Sequence, residues 1–374
     1  MTEWETPKSY KINSSAELKG LISDEKINSV IDPIDYIVDD LFEMRHPDLK
    51  DDKLSRASFH EQINEDGLSY GQWFHFPWNN NLIRFPDADE HYDLRTFRNC
   101  NLITKNEQRI LRTKKIAAFG LSVGSNVVDS TIQSGIGNNY LLFDFDRLTP
   151  TNLNRIRAGM GNVGLLKTTV AGRKIADLDP YIEQQHFING YDNDTDEILR
   201  LEKPDIIIEE VDDLEVKARL RRMASELKIP LVTAGDSDDN VILDIERHDL
   251  GEIRPFNGKL SRKTVDDLIN SELTAKEHEG ALIRLLGLTN LSPRLVESAM
   301  VRGVELAGFP QLGTTASIGG AMASVAIRDI LLGRKIESGT RTNNIRKSVG
   351  SGRPTTIVED IKTVKKFIDY RNKK

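Results

Sequence analysis

The chain has 374 residues, with 51 Lys and Arg against 58 Asp and Glu and a net charge of −7. This length corresponds to about two domains, or to one large α/β domain with appendages. The negative net charge argues against a nucleic-acid partner. The one cysteine, Cys100, excludes an intrachain disulfide and a Cys-X-X-Cys zinc site. Because the N-terminus is polar and no apolar run reaches the length of a membrane span, we expect a cytoplasmic protein without membrane segments.

Residues 1–90 are predicted to form a small α+β accessory region. Within them, residues 68–86 crowd aromatic side chains around an Asn-rich turn, which predicts a short β-hairpin. The aromatic residues of this segment are Trp73, Phe74, Phe76 and Trp78. Most aromatic clusters belong to a core, so a small satellite core is the favoured interpretation, and a binding surface for a partner peptide is the alternative.

Strand and helix patterns alternate from Lys114 onward. Short apolar runs predict strands at 115–120, 140–144, 204–210 and 229–235. The stretches between them predict helices at 124–136, 164–178 and 213–228. This alternation is typical of a doubly wound, Rossmann-like and mostly parallel sheet, which we place within residues 91–340.

The end of the chain has two further features. Residues 309–332 are rich in Gly and Ala and predict a helix that packs closely under the sheet. Residues 341–374 form a tail, which is loop-like in composition at 341–356 and helical or extended in pattern at 357–370.

The strand at 115–120 leads into a glycine turn, GLSVGS, and then into a helix. Backbone N–H groups at such a turn point outward at a helix N-terminus, where the helix dipole favours a phosphate group. The residues that we expect around the phosphates are Gly120, Ser122, Gly124 and Ser125. Serines stand where the Gly-X-Gly-X-X-Gly pattern has its later glycines, so a tight turn without a ligand is an open alternative.

An acidic pair follows the second strand of this region. Asp144 lies at the strand end, where a carboxylate can accept both hydrogen bonds of a ribose diol. Asp146 lies two residues further on. Either acid can instead cap the following turn, and a nicotinamide-dependent dehydrogenase would also place an acid here, so this feature alone does not decide between nucleotides.

Two cations and a third acid come next in the sequence. Arg155 and Lys167 suit a triphosphate, because negative charge must be neutralised on phosphates that leave. Asp212 follows the strand at 204–210, and strand ends of a doubly wound sheet meet at one crevice. A lone carboxylate beside phosphates is a plausible Mg²⁺ ligand. Taken singly, the cations can be surface charges and Asp212 can be a helix cap.

Taken together, these segments resemble the ubiquitin-activating (E1-like) superfamily, which includes the ThiF and MoeB adenylyltransferases. The matching motifs are GLSVGS (120–125), DFD (144–146), NLNR (152–155), VGLLK (163–167) and DD (212–213), and the resemblance extends over about 95–335. It implies that Asp144 binds the ribose and that Asp212 binds magnesium. It also implies that three residues surround the phosphates: Asn152, Arg155 and Lys167.

The segment RTFRN (95–99) resembles the part of the family that precedes its first strand. The resemblance implies that Arg98 reaches into the site of a neighbouring subunit, so that the working unit is a homodimer; an exposed arginine without this role is the alternative. The glycine loop is about one residue shorter than the family pattern, and no cysteine follows the adenylation motifs. Cys100 precedes the first Rossmann strand, and we expect it to be a small buried residue.

The resulting expectation is an ATP- and Mg²⁺-dependent adenylyltransferase. It would activate a carboxylate as an acyl-adenylate, most readily the C-terminus of a small protein or peptide, without a thioester cysteine of its own. Two alternatives stay open at this point. One is an NAD(P)-dependent oxidoreductase on the same type of fold, and the other is a nucleotide-binding interaction module without catalysis.

Overall fold

The computed structural model describes residues 4–65, 67–287, 292–352, 361–363 and 365–366. The strands are β1 Lys8–Tyr10, β2 Ser29–Ile31, β3 Gln72–Phe76, β4 Asn81–Phe85, β5 Lys115–Phe119, β6 Asn139–Phe143, β7 Glu183–Phe187, β8 Ile206–Glu209, β9 Leu231–Ser237, β10 Asn240–Glu246 and β11 Gly339–Asn344. The helices are α1 Ser15–Asp24, α2 Ile34–Arg45, α3 Lys53–Glu65, α4 Ala88–Thr96, α5 Lys105–Arg112, α6 Gly124–Gln133, α7 Lys167–Leu178, α8 Thr195–Glu202, α9 Leu214–Leu227, α10 Arg262–Ile269, α11 Ala275–Leu286, α12 Pro293–Val301, α13 Gly313–Leu331 and α14 Ile345–Ser348.

The strands form a large sheet of seven strands, in the order β11-β10-β9-β8-β5-β6-β7. The pairs among β5 to β9 are parallel, whereas β10 pairs antiparallel with both β9 and β11. Ala117 of β5 lies between Leu141 of β6 and Ile207 of β8. Helices cover both faces, so the central strands are apolar throughout rather than alternating. The expected doubly wound, mostly parallel α/β fold is therefore confirmed.

Helix α13 lies under this sheet and against α6, as the Gly- and Ala-rich sequence predicted. At Gly320 a Cβ atom would stand 2.5 Å from the backbone oxygen of Asn126, so only glycine allows this approach of the two helices. Within the part of the chain that the structure describes, no helix is long and apolar enough to cross a membrane.

The N-terminal residues form a second sheet of four strands, in the order β1-β3-β4-β2. β3 and β4 are the predicted aromatic hairpin, and Trp73, Phe74 and Phe76 are buried in it. Phe74 contacts Tyr181 with ring centroids 5.0 Å apart, and this small core also includes Ala176 of α7. The satellite-core interpretation of the aromatic cluster is thus confirmed.

Two expectations are wrong in detail. The segment predicted as a loop at 341–356 begins within β11. The polar sequence of β11 gave no strand pattern, yet β11 pairs along its whole length with β10. Cys100 is exposed rather than buried, because it follows a short 3-10 helix, Phe97–Asn99, at the surface. The predicted helix or strand at 357–370 lies largely outside the described residues.

Candidate nucleotide-binding site

The glycine turn lies between the carboxyl end of β5 and the amino end of α6. Gly120 has φ +82°, and a Cβ atom there would stand 2.4 Å from the backbone oxygen of Glu210, so the turn requires glycine. Val123 occupies the N-cap position of α6, and its side chain cannot accept a hydrogen bond from the first helical turn. The N–H groups of this turn and the positive end of the helix dipole therefore suit an anion.

Asp144 connects the turn to the end of β6. The carboxylate is buried, its Oδ2 accepts a hydrogen bond from the backbone N of Leu121 at 2.6 Å, and its Oδ1 accepts one from the backbone N of Asp146 at 2.8 Å. Burial raises the pKa of Asp144, and the nearby charge of Lys167 opposes this effect. Each carboxylate oxygen can accept more than one hydrogen bond, so Asp144 fixes the glycine turn and retains capacity for a hydroxyl ligand.

Lys167 begins helix α7 directly beside these acids. Its Nζ donates to Oδ2 of Asp146 at 2.6 Å and lies 3.9 Å from Oδ2 of Asp144. The lysine side chain is largely buried, whereas that of Asp146 is half exposed. The sequence-predicted residues Asp144, Asp146 and Lys167 thus form one group at the glycine turn.

Arg155 approaches the same turn from the other side. Its Nε donates to Oγ of Ser122 at 2.9 Å, and its Nη1 donates to Oδ1 of Asn154 at 2.9 Å and to the backbone oxygen of Thr151 at 3.3 Å. Burial lowers the pKa of Arg155, and the more distant charges of Asp236 and Asp212 oppose this. The direct partners of this guanidinium are neutral, which leaves its charge available to an anion.

Asp212 lies just past β8 and is exposed to solvent. The neighbouring Asp213, rather than Asp212, is the N-cap of α9 and accepts hydrogen bonds from the backbone N of Glu215 and of Val216. Asp212 is therefore free of the capping role that was its alternative. Groups of three or more potential metal ligands are absent from the described residues, so a cation here would keep several waters or phosphate ligands, as Mg²⁺ does.

Asn152 and Arg98 lie apart from these contacts. Asn152 ends a 3-10 helix, Pro150–Asn152, and its Oδ1 accepts a hydrogen bond from the backbone N of Thr149 at 3.0 Å, so it shapes the loop before Arg155. Arg98 is exposed. Arg95, one helical turn earlier, is instead fixed by Asp179 at 2.8 Å and by the backbone oxygen of Ile132.

Sequence reasoning missed two acids at the carboxyl ends of β8 and β9. Burial and the charge of Glu209 raise the pKa of Glu210 well above its ordinary value, and its carboxylate accepts a hydrogen bond from the backbone N of Ala234. Burial also raises the pKa of Asp236, whose Oδ1 accepts a hydrogen bond from Nε2 of Gln311 at 3.4 Å. Both acids lie in strand-like sequence, and only the pairing of the strands brings them to this edge.

Three curated relatives match part of the chain. An uncharacterized protein of Mycobacterium tuberculosis is 33% identical over 270 residues, which are 72% of this chain and 37% of that protein. A tRNA threonylcarbamoyladenosine dehydratase of Haemophilus influenzae is 32% identical over 139 residues, which are 36% of this chain and 52% of that protein. Ubiquitin-like modifier-activating enzyme 5 of Drosophila pseudoobscura pseudoobscura is 28% identical over 167 residues, 41% of each chain. The chain therefore spans 37% to 52% of the length of these relatives.

Two solved structures are similar at lower identity. A crystal structure of PaaA is 17% identical, with a TM-score of 0.48 over 83% of this chain and 96% of that chain. A crystal structure of E. coli MccB with AMPCPP and MccA is 17% identical, with a TM-score of 0.44 over 72% of each chain.

The family match covers the whole candidate site. Residues 96–349, well over half of the chain, match the ThiF family, and this range includes each candidate site residue from Arg98 to Asp212. This protein is a member of the E1-like ThiF family.

Proposed function

We propose that this protein is an ATP-dependent adenylyltransferase that activates a carboxylate as an acyl-adenylate and releases pyrophosphate. The observation that carries the proposal concerns the guanidinium of Arg155: among the residues that the structure describes, its hydrogen-bond partners at the glycine turn are neutral. An unmatched, half-buried cation beside a helix N-terminus suits a polyphosphate. Family membership supports the same class of reaction.

The residues at the glycine turn would bind the nucleotide. The N–H groups at the start of α6 would receive phosphate oxygens, and Asp144 would accept hydrogen bonds from the ribose hydroxyls. Lys167 would move from Asp146 toward the phosphates, because its flexible side chain carries a mobile point charge. Ser122 and Ser125 would line the turn, and Asn152 would hold the loop that presents Arg155.

A magnesium ion fits the donors at the crevice. Asp212 offers an exposed carboxylate that caps no helix, and magnesium is held in proteins by one or two carboxylates together with phosphates and waters. When bound, the ion would neutralise charge on the phosphate oxygens. On the protein side, Asp212 is the residue that would hold the ion.

The chemical step would be attack of a substrate carboxylate oxygen on the α-phosphorus of ATP. A new P–O bond forms, the bond to the bridging oxygen of pyrophosphate breaks, and the products are an acyl-adenylate and pyrophosphate. Arg155 and Lys167 would stabilise the negative charge that grows on the equatorial and leaving oxygens, so positioning and electrostatics supply most of the rate.

The acyl substrate that we propose is the C-terminus of a small protein or peptide. Residues 1–90 would contribute to its binding. The acyl group would then pass to a nucleophile from outside the chain, because the one cysteine, Cys100, precedes β5 rather than following the adenylation motifs. We propose a homodimer in which the exposed Arg98 acts on the neighbouring site.

The test is a thermal-shift panel on the purified protein with ATP·Mg²⁺, AMP, NAD⁺ and NADPH. A ligand that binds only the folded state raises the melting temperature by mass action. We expect a magnesium-dependent shift with ATP that is reduced in Asp212→Asn, and ATP–pyrophosphate exchange once a carboxylate substrate is supplied. A shift with NAD⁺ or NADPH and none with ATP would refute the proposal, and ATP binding without exchange across a panel of carboxylates would favour a non-catalytic module.

A further inference from the structure

We propose that Asn126 is a positioning residue that ties Arg155 to the glycine turn, so that both phosphate-binding elements move as one unit. Asn126 lies in the first turn of α6 and is 1% exposed. Its side chain reaches out of the helix toward two other elements rather than toward solvent. This inference rests on the proposed function, because it concerns the same nucleotide site.

The hydrogen bonds of Asn126 connect three parts of the chain. Its Nδ2 donates to the backbone oxygen of Arg155 at 3.0 Å and to the backbone oxygen of Val123, at the glycine turn, at 3.4 Å. Its Oδ1 accepts a hydrogen bond from Oγ of Ser317, in α13, at 3.4 Å. The side chain of Asn126 therefore joins the glycine turn, the loop that carries Arg155 and helix α13.

The chemistry of the partners requires an amide at this position. The two groups near Nδ2 are carbonyl oxygens, which can only accept, and the group near Oδ1 is a hydroxyl, which can donate. An aspartate would direct an acceptor oxygen at both carbonyls, and an alanine would leave the half-buried carbonyl of Arg155 without this donor. The site therefore selects asparagine among side chains of its size.

Both the side chain and the backbone of Arg155 are consequently held by residues of the glycine turn and the start of α6. Its side chain donates to Ser122 in the turn, and its backbone oxygen accepts from Asn126 in the helix that follows. The close contact of Gly320 with the backbone of Asn126 fixes that helix against α13. A change at Asn126 should therefore act on ATP through the placement of Arg155, although Asn126 itself need not touch the nucleotide.

The experiment is a double-mutant cycle on ATP·Mg²⁺ affinity, measured by calorimetry on the full chain. The variants are Asn126→Ala, Arg155→Met and the double variant, with Asn126→Leu in reserve if Asn126→Ala does not fold; both replacements are neutral, so they place no negative charge in the helix turn that would bind phosphate. The matched control is Ser130→Ala, which removes a hydroxyl that donates to the backbone oxygen of Asn126 at 2.8 Å and leaves the amide in place.

We expect Asn126→Ala to weaken ATP binding about tenfold and to add little to the effect of Arg155→Met, because coupled residues give non-additive effects. Ser130→Ala should bind ATP as the wild type does. A purely structural role of Asn126 would instead give effects that multiply in the double variant, or a loss of melting temperature with unchanged ATP affinity, and either result would overturn the inference. Wild-type protein that does not bind ATP at all would refute the proposed function, and this inference with it.

Discussion

Two arginines in neighbouring parts of this protein have opposite electrostatic surroundings. Arg221, in α9, is buried; its Nε donates to Oε1 of Glu246 at 2.6 Å and its Nη1 donates to Oε2 of Glu209 at 2.8 Å. Burial acts to lower the pKa of Arg221, but the charges of Glu246 and Glu209 outweigh it and the pKa is raised. Phe256 completes the enclosure, with its ring centre 3.9 Å from the guanidinium carbon.

Arg155, at the glycine turn, has the opposite balance. Its direct partners are a hydroxyl and two neutral carbonyl-type oxygens, and burial lowers its pKa despite the more distant acids. An arginine whose charge is neutralised by buried carboxylates stabilises the fold, and it has no charge left for an anionic ligand. A cation that the fold leaves unmatched is available for one. We therefore expect Arg221 to matter for folding and Arg155 for binding, and the predictions below test this difference.

The largest expected effect is on the matched arginine. Arg221→Met should lower the free energy of unfolding by about 3–5 kcal/mol, because it leaves Glu209 and Glu246 buried without this partner. Urea denaturation followed by circular dichroism measures the loss. Arg200→Met removes an exposed arginine that pairs with Glu226 and should leave the free energy of unfolding nearly unchanged. Similar losses in the two variants would show that burial of the ion pair is not what matters.

The second effect concerns the unmatched arginine and should appear in binding rather than in folding. Arg155→Met should weaken ATP·Mg²⁺ binding by about 1.5–3 kcal/mol, or tenfold to more than a hundredfold, with a change in unfolding free energy of less than about 0.5 kcal/mol. Calorimetry and urea denaturation on the same samples separate the two quantities. Arg200→Met, which removes an exposed arginine that pairs with Glu226 away from the glycine turn, is the control here as well and should leave ATP affinity unchanged. A large loss of stability in Arg155→Met would place it with the structural charges.

The third effect tests an acid that the fold leaves unmatched. Burial and the Glu209 charge raise the pKa of Glu210 above the ordinary value of 4.5. Between pH 4.5 and the raised pKa, Glu210 is therefore protonated in the folded protein and ionised in the unfolded chain. Stability must therefore fall as pH rises through that range. Glu210→Gln keeps an acceptor for the backbone N of Ala234 and should be more stable than the wild type at pH 8, by on the order of 1 kcal/mol. Melting curves from pH 4 to pH 8 measure this, and equal slopes for both proteins would contradict it.

The smallest effect should be at Arg98. Because this arginine is exposed, Arg98→Met should change the free energy of unfolding by less than about 0.5 kcal/mol. Arg95→Met, which removes the buried partner of Asp179, should cost more. A loss of ATP–pyrophosphate exchange in Arg98→Met without a loss of stability would support its action on a neighbouring subunit. Unchanged exchange would exclude that role.

The sequence by itself determined the alternation of strands and helices, the aromatic hairpin and the glycine turn, because each depends on periodicity or on residue types that act locally. It also predicted Gly120 and Asp144 as neighbours, since strand ends of a parallel sheet share one edge, and the family resemblance added Lys167. Their contacts in the structure agree with that expectation. The roles of these residues toward ATP stay predictions.

The tertiary structure alone decided which charges are matched. The NLNR motif marks Arg155, but the sequence does not show that Arg221 meets two buried carboxylates, because Glu209 and Glu246 lie on other strands. The same holds for β11, whose polar residues form a strand only because the antiparallel β10 offers its edge. It holds for Asn126 as well, whose buried amide acquires its partners only when α6, α13 and the loop at Arg155 meet. Local patterns fix the elements, whereas burial and pairing between distant elements fix the energy of each charge.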